Sequence, residues 1–175
     1  MCGITGYISS NKNLLSEEEF SHFNQSLNHR GPDWREQAQT KRGRIGHTKL
    51  SITDTSEKSN QPYSYLTAEG YLYQTVFNGE IYNFKQIREQ LKSLGHSFTT
   101  DSDTEVLIKS FAEWGEKCQY KFNGIWAFAI YNTFNGEFFI SRDRFGVKPI
   151  YLWITQAAVF FASEIKSFRN LPQSY

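Results

Sequence analysis

Apolar residues recur along the chain at two periods, one suited to helices and one to strands. Cys2 to Ser9 reads as a short strand of small and apolar residues. Ser16 to Asn28 reads as a helix, with Phe20, Phe23 and Leu27 on one face and a Ser16/Glu19 capping box at its start. Arg30-Gly31-Pro32-Asp33 breaks it into a turn. Arg44 to Ile52 predicts a strand, then a polar loop through Ser56 and Asn60 to Pro62, then a strand from Tyr71 to Phe77. Asn78-Gly79 leads into a second helix with Phe84, Ile87, Leu91 and Leu94 inward and Gly95 as its stop. A third helix starts at Ser102 or Asp103, with Ser102 and Glu105 as a second capping box and Phe111 and Trp114 on its apolar side. Ile125 to Tyr131 and Glu137 to Ser141 flank Asn135-Gly136, a hairpin signal. Val147 to Ile154 and Ala158 to Ala162 form a second hairpin, and Ser163 to Phe168 a short helical end. Strands arriving as hairpins favour an α+β fold of antiparallel sheets covered by helices over a doubly wound parallel sheet.

Composition narrows the class. The 175 residues suit one domain, and 39% hydrophobic with 17% aromatic side chains supports a compact core. A formal charge of +1 gives no electrostatic case for a nucleic acid or a membrane surface as partner. Cys2 and Cys118 allow one disulfide at most, and no zinc-type spacing is present. The longest uncharged stretches, Phe122 to Gly136 and Pro149 to Ser163, are too short to span a bilayer, and the N-terminus lacks a signal-peptide pattern. A reducing, cytoplasmic setting is therefore expected.

The sharpest chemical feature is Cys2. Removal of Met1 makes it the N-terminal residue, with its thiol beside its own α-amine. An α-amine titrates at roughly 8, so it can serve as the base a thiol nucleophile needs. A bare Met-Cys start also fits an incidental small residue before a strand. Asn78-Gly79 likewise fits an ordinary turn or a pair of oxyanion donors, and Asp103 a helix cap or a ligand for a cation.

The motifs together carry more weight. Cys2-Gly3-Ile4-Thr5-Gly6-Tyr7, His29-Arg30-Gly31-Pro32-Asp33, Gly46-His47 through Leu50-Ser51-Ile52, Phe77-Asn78-Gly79-Glu80-Ile81-Tyr82-Asn83, Asp101-Ser102-Asp103-Thr104-Glu105-Val106 and Arg142-Asp143-Arg144-Phe145-Gly146-Val147-Lys148-Pro149 occur in that order. This set resembles the class II glutamine amidotransferase domain, an N-terminal-nucleophile hydrolase, in the form found in glutamine-hydrolysing asparagine synthetases. The resemblance implies a four-layer αββα sandwich and one glutamine amidotransferase type 2 domain over residues 1–175, ending slightly short of the usual close. It implies that Cys2 attacks the side-chain amide of L-glutamine, and that the Asn78 side chain and the Gly79 N–H form an oxyanion hole. Asp103 would bind the substrate α-ammonium group. Lys49, Leu50, Ser51, Ile52, Thr53 and the segment Asn78, Gly79, Glu80 would line the pocket. Arg30 would lie near the nucleophile, either shaping its loop or touching substrate.

One residue departs from the pattern. The family usually has Arg where this chain has Lys49, and Lys lacks the planar fork that grips a carboxylate at two points. No catalytic histidine is needed, Cys118 reads as a packing residue, and Arg142-Asp143-Arg144 reads as a structural charge network. No Ser-Gly-Gly-x-Asp-Ser loop is present, so no cofactor is expected here; ATP and magnesium would belong to an absent synthetase domain or subunit that receives the ammonia. Two alternatives stay open: a catalytically silent module keeping the fold, and a hydrolase for another γ-glutamyl amide.

Overall fold

The computed structural model describes residues 1–10, 14–50 and 60–172. The strands are β1 (Gly3–Ser9), β2 (Trp34–Thr40), β3 (Gly43–Lys49), β4 (Tyr63–Leu66), β5 (Leu72–Ile81), β6 (Gly124–Asn132), β7 (Phe138–Arg142), β8 (Tyr151–Ile154) and β9 (Ala158–Ala162). The helices are α1 (Glu17–Gln25), α2 (Phe84–Ser93) and α3 (Asp103–Trp114), with 3₁₀ turns at Gly115–Lys121 and Ile165–Asn170. One sheet has the order β2-β3-β1-β9-β8 and the other β4-β5-β6-β7, with antiparallel pairing throughout the described ladders.

Alternation along the strands builds the layers. Ile4, Ile45 and Phe161 of the first sheet meet Val76, Ala127 and Ala129 of the second, forming the inter-sheet core. The opposite face of the first sheet, through Tyr7 and Phe160, packs on Phe20 and Phe23 of α1 and on Phe168. The opposite face of the second sheet, through Phe77, Phe128 and Ile130, packs on Ile87 and Leu91 of α2 and Val106 and Leu107 of α3. The result is the expected four-layer α+β sandwich.

Several local expectations need correcting. Ser16 and Glu19 do form a reciprocal capping box. Ser102 caps α3 through the Thr104 N–H, but Glu105 does not complete a box. Its carboxylate is instead buried under Thr99, Thr100 and Lys109, where these bonds outweigh the penalty of burial and lower its pKa. Leu94 is exposed at the end of α2, although Gly95, at φ 98°, does stop the helix. The strand expected to end at Phe77 runs on through Asn78-Gly79, opposite Ala127 and Trp126, to Ile81. Arg142-Asp143-Arg144, expected as a structural charge network, forms no ion pair among the described residues, and Asp143 is structural in another way. That carboxylate accepts from the backbone N–H groups of Trp126, Phe145, Val147 and Lys148 and so shapes the loop. Strands β2 and β4 were not legible because both lie at sheet edges and carry mixed polar sequences.

Phe161 is fully buried between the sheets. Phe161→Ala should cost about 3–5 kcal/mol, read as a lower urea midpoint at unchanged slope.

Candidate active site

The site grows from the inward faces of β1, β3 and β5. Side chains two apart share a face, so Ile45, His47 and Lys49 project inward together, as do Val76 and Asn78. Cys2 has the parity of Ile4 and lies just ahead of the first ladder pair, Gly3 with Thr48. The ends of β1 and β3 therefore present Cys2 and Lys49 on the sheet face that looks toward Asn78. The half-buried Cys2 keeps its sulfur as a free thiol.

Asn78 is 2% exposed, yet its Nδ2 has no hydrogen-bond partner among the described residues. A buried amide donor without a partner is costly, and such groups concentrate where a ligand satisfies them. The neighbouring Gly79 faces Trp126. Trp126 uses its N–H and C=O on Asp143, on the β7 side, so Gly79 points its own N–H away from β6. On that same edge of β5, the Phe77 N–H donates to Gln61 Oε1 and the Ile81 N–H to Asp103 Oδ2 at 3.0 Å. The Gly79 N–H projects between these two side chains. A Cβ at position 79 would stand 2.3 Å from the Ile125 carbonyl oxygen, so the close approach of β6 demands glycine.

Because Ser102 is the cap, Asp103 is the first residue of α3 and is free to face β5. Burial, reinforced by the nearby Glu80 charge, overrides its hydrogen bonds and raises its pKa from an ordinary 3.8 to about 6. Lys49 is buried and donates to Asn60 Oδ1 at 3.0 Å. Burial, with Lys49 nearby, lowers the His47 pKa to about 3 against the pull of the Phe77 backbone, so the ring is neutral. Neither ring nitrogen makes a hydrogen bond of good geometry among the described residues.

Arg30 reaches the Cys2 carbonyl oxygen through Nε at 3.0 Å, which favours loop shaping over substrate contact. Leu50 is half-buried beyond β3 and Glu80 is exposed at the end of β5, while Ser51, Ile52 and Thr53 lie outside the described residues. Gln61 and Glu164 were missed from sequence. Gln61 joins β5 to α3 through Phe77 N–H and Thr104 Oγ1, and no motif marks it. Cys118 is fully buried, its pKa pushed up to about 12 chiefly by burial, in keeping with a packing role. Among the described residues no group of His, Cys, Asp and Glu is arranged to hold a metal, and no helix is long and apolar enough to cross a membrane.

The profile of the glutamine amidotransferase domain matches residues 1–175. The chain belongs to this family. It is 38% identical to asparagine synthetase [glutamine-hydrolyzing] 3 of Bacillus subtilis, covering 98% of this chain and 28% of that protein. It is 40% identical to asparagine synthetase [glutamine-hydrolyzing] 1 of the same organism, covering 95% of the chain and 26% of the relative. A putative asparagine synthetase 2 of Methanocaldococcus jannaschii is 36% identical, with 95% and 34% covered. The chain thus spans about a quarter to a third of the length of these relatives. Among solved structures, the glutamine phosphoribosylpyrophosphate amidotransferase of B. subtilis superposes with a TM-score of 0.81 at 22% identity, over 96% of this chain and 43% of that one. A structure described as the allosteric regulatory enzyme of purine biosynthesis gives 0.84 at 21%, over 97% and 43%. This amidotransferase domain therefore shares its fold with both of these solved structures.

The raised Asp103 pKa has a signed consequence for stability. Between about pH 4 and 6 the unfolded chain loses this proton before the folded one, so stability falls as pH rises through that window. Asp103→Asn should flatten that slope, read as urea midpoints of the two proteins across the pH range.

Proposed function

We propose that this domain hydrolyses the side-chain amide of L-glutamine with Cys2 as nucleophile. The observation that carries the reading is the buried, unpartnered Asn78 amide on the sheet face that looks toward Cys2. With Met1 removed, the Cys2 α-amine takes the thiol proton and the sulfur attacks the amide carbon. The carbonyl oxygen becomes an oxyanion that accepts from Asn78 Nδ2 and the Gly79 N–H, donors made before the substrate arrives. The tetrahedral centre collapses to a γ-glutamyl thioester as the amide nitrogen gains the proton and leaves as ammonia. Water then attacks the thioester, releasing glutamate and restoring the thiol.

Substrate is held at its other end. Asp103, ionised above about pH 6, accepts from the α-ammonium group, and Lys49 pairs with the α-carboxylate. Leu50, Ser51, Ile52, Thr53 and Glu80 complete the pocket wall, largely through backbone groups. Residues 1–175 act as one glutamine amidotransferase type 2 domain in the cytoplasm, needing no cofactor. The ammonia passes to an asparagine-synthetase-type domain or subunit, where ATP and magnesium would be used; the names and lengths of the similar proteins support this partner.

The test is ammonia release from glutamine, compared with asparagine and glutathione. Cys2→Ala should abolish it, and Asn78→Ala should lower kcat by about 10²–10³; full activity in Cys2→Ala would overturn the mechanism. Lys49→Arg should lower the apparent KM for glutamine by adding the two-pronged contact, and an unchanged KM would remove position 49 from the carboxylate site.

A further inference from the structure

Cys2 precedes the first pair of the β1 ladder, where a chain end ordinarily frays. Its carbonyl oxygen is nevertheless held by Arg30 Nε at 3.0 Å, and Nη1 of the same guanidinium donates to Glu164 Oε1 at 2.9 Å. Glu164 is itself tied to β1 by its neighbour. The Ser163 N–H donates to the Ile4 carbonyl at 2.9 Å, and the Ile4 N–H donates to Ser163 Oγ at 2.9 Å. The path Cys2, Gly3, Ile4, Ser163, Glu164, Arg30 therefore closes on Cys2 again. The Arg30 side chain is 10% exposed and that of Glu164 22%, which shields their contact from water and salt.

We propose that Glu164 is a positioning residue for the Cys2 nucleophile: it orients the Arg30 guanidinium that fixes the Cys2 carbonyl, and thereby the direction of the thiol. This rests on the glutamine-hydrolysis reading and extends it to a residue 134 positions from Arg30. The fork of Arg is what makes the clamp work, since one nitrogen serves each partner at a fixed angle. His29 Nε2 at 2.8 Å and Lys166 Nζ at 3.0 Å face the same carboxylate and lie 3.3 Å from each other. Burial alone would raise the Glu164 pKa, but Arg30, Lys166 and His29 hold it at about 2, so the clamp stays charged at neutral pH. The energetic demand on it is modest, because a nucleophile misplaced by about 1 Å can lose on the order of 10² in rate.

Glu164→Gln removes the charge and keeps the shape. Two readouts apply: kcat and KM for glutamine, and the rate at which iodoacetamide alkylates Cys2, located by peptide mass. Cys118 is fully buried and does not compete for the reagent. In Glu164→Gln, kcat should fall about tenfold or more while KM stays within about twofold, and Cys2 alkylation should slow. Glu164→Asp should recover part of both losses. Arg30→Met combined with Glu164→Gln should lose no more than Arg30→Met alone, the mark of residues acting through one another. Unchanged kcat and alkylation in Glu164→Gln would overturn the proposal, as would additive losses in the pair. If Glu164→Gln does not fold, Glu164→Asp gives the same readouts, with a slowed alkylation expected and a wild-type rate overturning the clamp. Should the wild-type chain release no ammonia, the hydrolysis reading fails, while the alkylation comparison still decides the role of Glu164.

Discussion

A strand that begins at the third residue of a chain would ordinarily be a loose end, and here it is the centre of a sheet. β1 is paired on one side by β3 and on the other by β9, so its backbone is held along both edges. That double pairing sets the parity of every side chain near the N-terminus. Ile4 is locked into the inter-sheet core, and Cys2, two residues earlier, inherits the same direction. Without the pairing, the candidate nucleophile would have no defined place.

The second sheet supplies the complement by spending a strand edge. β5 runs past the end of β4, whose ladder stops at Tyr63 opposite Thr75. The N–H groups beyond that point need other acceptors, and Gln61 and Asp103 take those of Phe77 and Ile81. Gly79 lies between them with its N–H on the same edge. An edge that would be a liability elsewhere thus becomes a row of donors. The packing of α3 then brings a carboxylate to it, and the burial that raises the Asp103 pKa follows from that placement.

The family was legible in the chain. Cys2, Asn78, Gly79 and Asp103 stand out as candidates because short motifs carry them, and the order of those motifs pointed to one family, which the profile match bears out. The amphipathic faces of α1 and α2 and the Asn135-Gly136 hairpin were also legible, since their signals are local. The misreadings are local rules overruled from a distance. Glu105 has the spacing of a capping box, but a buried Lys109 and the Thr99-Thr100 segment claim its carboxylate. The strand expected to stop at Phe77 is extended through Asn78-Gly79 by pairing with β6.

What the sequence determined by itself was therefore the inventory: which residues are candidates for chemistry, which stretches alternate, and where helices start and stop. The tertiary structure alone decided which groups share a face and which are left unpartnered. Gln61, Glu164 and the Ser163–Ile4 tie belong to that second kind, because each is an ordinary residue until a strand far along the chain lies beside it. Local propensity acts over a few residues, whereas a β-sheet joins positions more than a hundred apart, and only the folded pairing says which ones meet.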